Sequence, residues 1–123
     1  MRLTETDFGN ARPIEGYGPD YFRLGGQVHP APVAFAADRV IAWHGYDDAE
    51  PLLALQGSVD VLFIGTGAEM APLPAALRQR LEAAGLGVEI MASDAACRTY
   101  NVLLSEGRRI AVALLPVGPA NTA

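Results

Sequence analysis

The sequence predicts an α/β domain, and three observations carry that prediction. VDVLFIGTG (Val59 to Gly67) is a nearly unbroken apolar run ending in a glycine turn, GVEIMASDAACRTYN (Gly87 to Asn101) reads as a strand passing straight into a helix, and Arg109 to Leu115 is a third apolar run before Pro116. Together they alternate strand, helix, strand, helix, strand. Two such consecutive units take right-handed crossovers and imply a locally parallel sheet of three strands.

Taken in order, residues 1–13 are polar and end in Arg12-Pro13, which predicts an extended arm before a single domain over 14–117 and a flexible tail over 118–123. From Ile14 to Val28, four glycines and the aromatics Tyr17, Tyr21 and Phe22 predict two short strands about a Gly18-Pro19-Asp20 turn. Val33 to Trp43 is rich in β-branched and aromatic residues and reads as two more strands about Ala37-Asp38-Arg39. Asp47 and Asp48 offer an N-cap to a short helix through Leu52, Leu53 and Leu55, stopped by Gly57. Val59 to Gly65 should then lie at the sheet centre, since continuous apolar runs belong to strands covered on both faces. Pro74 suits a first helical turn, Leu77 and Leu81 share a face, Arg78 can pair with Glu82, and Gly85 supplies the stop, which predicts a helix from Pro74 to Ala84 and then a strand from Gly87 to Met91. Ser93 is placed as the cap of a helix from Asp94 to Ser105. Val61, Phe63, Ile64, Val88, Ile90, Ile110, Val112 and Leu114 are the expected central core.

Composition narrows the function. The 123 residues are 50% hydrophobic and 19% charged, as in a folded globular chain. A net charge of −5 repels nucleic-acid backbones, and the Arg78/Arg80 and Arg108/Arg109 pairs are short and flanked by Glu82 and Glu106, so no nucleic-acid partner is expected. The single cysteine, Cys97, forbids an intramolecular disulfide. The N-terminus has no apolar signal core and carries Glu5 and Asp7, and nothing reaches the ~20 apolar residues of a membrane span. A cytoplasmic protein is expected.

Two stretches could carry chemistry. Gly65-Thr66-Gly67 follows the central strand where backbone N–H groups can face an anion, but a dinucleotide fingerprint would need glycine at Met70, and Pro72 and Pro74 delay the helix. The turn is therefore either a close contact between elements or a small-ligand contact. The polar cluster from Ser93 to Asn101 divides by helical spacing: Asp94 and Arg98 can pair, Cys97, Tyr100 and Leu104 share an inward side, and Arg98 and Asn101 can face a groove. Cys97 beside Arg98 near a helix start could be an activated thiol, but no histidine lies near it in sequence, and a buried, inert thiol is the favoured reading. No catalytic residue, metal ligand or cofactor is assigned.

VDVLFIGTG, LRQRLEAAGLGVEIM, ASDAACRTYNVLLSEGRRIAVALLP and the proline-bearing tail together resemble a family of small proteins. That family includes mitochondrial complex I assembly factor 3, a vertebrate protein named for adipogenesis and many uncharacterised prokaryotic proteins. The resemblance is strongest over Val59 to Pro116 and looser over Ile14 to Trp43. It implies a three-layer β/β/α fold: a mixed sheet with helices on one side and, on the other, a small antiparallel sheet into which the four early strands fit. It also implies a non-catalytic assembly role in the mitochondrial members and supplies no catalytic residues. The chain lacks their transit peptide, as a bacterial homologue would.

Two functions follow as expectations. The first is a non-enzymatic assembly or protein-interaction factor whose partners are proteins such as respiratory-chain assembly intermediates. The second is a small-molecule or anion-binding module, or an enzyme, with its site between the Gly65-Thr66-Gly67 turn and the helix that carries CRTYN (Cys97 to Asn101). Gly65, Thr66, Gly67, Asp94, Arg98 and Asn101 are the candidate binding residues for either.

Overall fold

The structure, a computed structural model, describes residues 11–118. Most of the expected arm and tail lie outside the described residues. The elements run β1 (Ile14–Gly18), β2 (Tyr21–Leu24), β3 (Gln27–Pro30), β4 (Val33–Ala36), β5 (Arg39–Ile41), α1 (Glu50–Leu53), β6 (Val61–Gly65), α2 (Ala75–Ala83), β7 (Gly87–Met91), α3 (Ser93–Ser105) and β8 (Ile110–Leu114). They build a three-stranded antiparallel sheet, β1-β2-β3, and a five-stranded mixed sheet, β5-β4-β8-β6-β7.

The parallel core is the expected one, with β6 pairing in parallel to both β7 and β8. β8 rather than β6 holds the middle place, because β4 joins β8 antiparallel on its far side and brings β5 with it. Five strands precede the first helix, not four. Gly25 and Gly26, both at positive φ, form a tight turn that closes the extra hairpin between β2 and β3.

Only β1 to β3 make the small sheet; the second predicted pair, β4 and β5, extends the large one. Burial explains the division. All four residues of β4 are buried, as suits a strand covered on both faces, whereas β2 alternates about Phe22 and Leu24 and suits a sheet with one wet face.

The chain has the expected three layers, with a different distribution of helices. Ala34, Leu62, Ile64, Ala111 and Ala113 face α1 and α2 with Leu52, Leu77 and Leu81. Val33, Phe35, Phe63, Val112 and Leu114 face the opposite way, onto Phe22 and Leu24 of the small sheet and onto Ala96, Cys97, Tyr100 and Leu104 of α3. Thus α3 shares its layer with the small sheet instead of lying beside α2. Handedness requires this. The chain steps from β6 to β7 in one direction and from β7 back past β6 to β8 in the other, so two right-handed crossovers place α2 and α3 on opposite faces.

Of the eight expected core residues, six are buried, while Val61 and Ile90 are half-buried. Trp43, Tyr100, Phe22, Phe35, Leu62 and Leu81 are larger fully buried members outside that set.

Candidate functional site

The glycine turn and the start of α3 meet at the C-terminal ends of the parallel strands. A Cβ at Gly65 would lie 2.7 Å from Ser93 Cα and 2.8 Å from Leu114 Cδ2, so only glycine lets β6, α3 and β8 converge this closely. Ser93 then fastens the three. Its N–H donates to the Gly67 carbonyl (2.8 Å), its Oγ accepts the Gly67 N–H (2.9 Å), and its hydroxyl donates to the Leu115 carbonyl (2.8 Å).

Ser93 was expected as the N-cap of α3, but that place belongs to Ala92, and Ser93 is fully buried as the first helical residue. Its side chain reaches across the fold because Gly67, at φ 110°, turns its N–H towards it.

The N–H and the hydroxyl of Thr66 are also engaged. The Thr66 N–H donates to the Met91 carbonyl (2.9 Å), and its hydroxyl donates to the Glu69 carbonyl (2.7 Å) while accepting the Ala71 N–H (3.0 Å). In α3, the Ala95 N–H donates to the Asp94 carboxylate at 2.8 Å. An anion arriving here would have to displace protein acceptors to reach the N–H groups of Thr66, Gly67 or Ser93.

Asn101 is likewise held. Its Oδ1 accepts the Ile14 N–H and its Nδ2 donates to the Ile14 carbonyl, both at 2.9 Å, so one amide clasps the start of β1 to α3 across 87 residues of sequence. Arg98 differs: its side chain is 68% exposed, with Asp94 3.7 Å away. It borders an open depression of about 250 Å³ with Thr99, Val102 and Leu103. Val102 is 56% exposed on that face. The six candidate residues therefore separate. Gly65, Thr66, Gly67 and Asn101 hold elements together, and Asp94 and Arg98 face outward beside an apolar strip that the sequence reading did not include.

Cys97 is buried at 4% exposure, and its thiol is pushed up to about 12 by burial first and then by the Asp94 charge, against a smaller lowering by Arg98. The proximity of Arg98 thus does not activate it. Burial also raises the Tyr100 hydroxyl. The hydroxyl lies close to the Ala37 backbone but too poorly placed for a hydrogen bond, and it has no partner among the described residues. His44 is exposed and its ring sits 3.0 Å from Asp48, and His29 packs edge-on against Phe35. No group of three metal-ligating side chains occurs among the described residues.

The raised thiol has a consequence for alkaline stability. Below pH 9 both folded and unfolded chains keep the proton; above it the unfolded thiol ionises first, and the folded one follows only near 12. Stability should fall through that window by about 1.4 kcal/mol per pH unit from this group. All nine basic residues are arginines, so no lysine titration overlays the effect. Urea melts at pH 8 to 11 should show a flatter decline in Cys97→Ala than in the parent, and a native-state thiol reagent should label Cys97 slowly. Equal slopes, or labelling faster than free cysteine, would contradict this account of the thiol.

Residues 14–115 match the family model described as a protein of unknown function (DUF498/DUF598). The chain belongs to the DUF498/DUF598 family. A relative in Rhodobacter capsulatus, an uncharacterised protein, is 49% identical over 95% of this chain and 94% of its own length. The zebrafish NADH dehydrogenase [ubiquinone] 1 alpha subcomplex assembly factor 3 is 33% identical over 84% of this chain, and the match spans 63% of the assembly factor. Among solved structures, an outer membrane protein from Bartonella henselae superposes with a TM-score of 0.80 at 31% identity, covering 90% of this chain and 99% of its own. The DUF498/DUF598 fold is thus shared by proteins described in different ways. In this member no helix among the described residues is long and apolar enough to cross a membrane.

Proposed function

We propose that this chain is a non-enzymatic assembly or protein-interaction factor, cytoplasmic, whose partners include respiratory-chain assembly intermediates. The observation that carries the reading is the outward face of α3, where exposed Arg98 and Val102 flank an open, largely apolar depression. An arginine beside exposed apolar surface is the composition that protein interfaces favour. Similarity to a named complex I assembly factor supports the same class of function. On this reading Arg98 and Asp94 make the charged contacts, while Gly65, Thr66, Gly67 and Asn101 keep α3 in position.

The test is affinity purification of the tagged chain from its own cells, with the captured proteins identified by mass spectrometry. Subunits of the respiratory NADH dehydrogenase should co-purify. Arg98→Ala combined with Val102→Asp should melt within about 2 °C of the parent, since both side chains are exposed, and should reduce recovery of those subunits by about tenfold. Full recovery with the double variant, or its unfolding, would remove α3 as the interface.

A further inference from the structure

At the opposite end of the sheet from the glycine turn, a second cleft of about 350 Å³ opens between the β4–β5 turn and the segment joining α3 to β8. Its apolar lining includes Val59, Leu104 and Ile110, and Arg39, Arg108 and Arg109 stand exposed around it. Arg39 comes from one hairpin and Arg108 and Arg109 from a loop some seventy residues later, so the cluster exists only in the fold. The antiparallel register between β4 and β8, with Ala36 opposite Ala111, brings the two segments together.

Neighbouring acids neutralise this cluster only in part. Arg109 donates to Asp60 at 3.1 Å and to the Gly57 carbonyl at 3.3 Å, whereas Arg39 and Arg108 make no ion pair among the described residues. Asp38 precedes Arg39 and Glu106 stands two residues before Arg108, but neither acid forms an ion pair with them among the described residues. In a chain of net charge −5, three of nine cations therefore gather at one cleft. Such a local concentration attracts negative groups that the rest of the surface repels. The same cleft contains Ala37, a non-glycine residue at φ 55°, whose left-handed backbone costs about 1–2 kcal/mol. That strained turn sets where Arg39 leaves the hairpin.

We propose that this cleft binds an acidic segment of a partner protein, whose carboxylates pair with Arg39 and Arg108 while an intervening apolar side chain enters between Val59 and Ile110. Charge complementarity selects the acidic partner, and the mixed lining selects a peptide over a bare anion, because apolar walls contribute nothing to a small hydrated oxyanion. Arginine suits the role, since its planar fork pairs with carboxylates in a bidentate manner. Arg39 and Arg108 lie outside the Arg98 and Val102 face of α3, so the cleft stands or falls separately from that interface.

The probe is a fluorescein-labelled peptide of four Glu-Leu repeats, titrated with the full chain by fluorescence anisotropy at low salt. The parent should bind it, the paired variant Arg39→Glu with Arg108→Glu should bind about tenfold more weakly, and added salt should weaken parent binding. Arg39→Gln with Arg108→Gln, checked by melting temperature, should give an intermediate loss without charge reversal, and Arg98→Ala should bind as the parent does. The cleft proposal is overturned if the arginine variants bind unchanged, or if a Gln-Leu peptide binds equally. It is also overturned if a Glu-Ser peptide binds equally and millimolar phosphate displaces both, which would assign a small-anion site. Loss of a dimer in sedimentation of the paired variant would assign the cleft to a second copy of the chain, and would overturn it too.

Discussion

Replacing Gly65 by alanine should destabilise the domain by about 3 kcal/mol or more, a large fraction of the usual stability of a small protein. The new methyl would stand 2.7 Å from Ser93 Cα, a backbone atom that cannot rotate aside, and 2.8 Å from the tip of Leu114. Moving Ser93 is costly because its N–H and hydroxyl already bond to Gly67 and Leu115 in a fully buried place. Relief of the clash would therefore leave buried donors or acceptors without partners. Gly16→Ala is the control, since a Cβ there meets nothing within 4 Å. Urea midpoints should separate the two variants widely, and a Gly65→Ala protein as stable as Gly16→Ala would contradict the packing described for this junction.

Phe35→Ala should cost about 3–5 kcal/mol. Phe35 is fully buried on β4, between the large sheet and the small one, and it packs edge-on against His29 at 5.8 Å between ring centroids. Its removal would open a cavity between the two sheets where Phe22 and Val112 also pack. β4 itself is hydrogen-bonded on both sides, to β5 and β8, which holds it back from collapsing into the space. Thermal unfolding measured by circular dichroism should show the loss, and a midpoint within a degree or two of the parent would place Phe35 outside the core.

Much of the fold was legible because periodicity and glycine placement are local signals. β7 falls on its expected residues, α2 differs only by one residue at each end, and the parallel pairing follows from the alternation of strand, helix and strand. The sheet to which β4 belongs was not legible, since an apolar run of four residues carries no information about its partner strand. Crossover handedness also holds the clue to α3, but only once the strand order is known, and that order depends on β8 pairing with β4.

The candidate site was readable as a location and not as a set of roles. Sequence spacing puts Gly65 to Gly67 near the start of α3, and the structure brings them together there. The destination of Ser93 Oγ and of the Asn101 amide lies 26 and 87 residues away, beyond any local pattern. A serine at a helix start reads as a cap, and an asparagine on a helix face reads as surface. Both instead satisfy backbone groups of other elements. Arg39 and Arg108 were invisible as a pair for the same reason.

The junction of Gly65 to Gly67 with Ser93 fastens three elements together, and on the proposed function recognition falls to arginine-bearing surfaces elsewhere. Native-state hydrogen exchange at the Thr66, Gly67 and Ser93 amides, followed by NMR with and without phosphate, distinguishes a fastening from an open anion site. All three should exchange only through global or near-global opening, and phosphate should leave their shifts and rates unchanged. Exchange within minutes under native conditions, together with phosphate-dependent shifts and protection, would instead show open donors at an anion site.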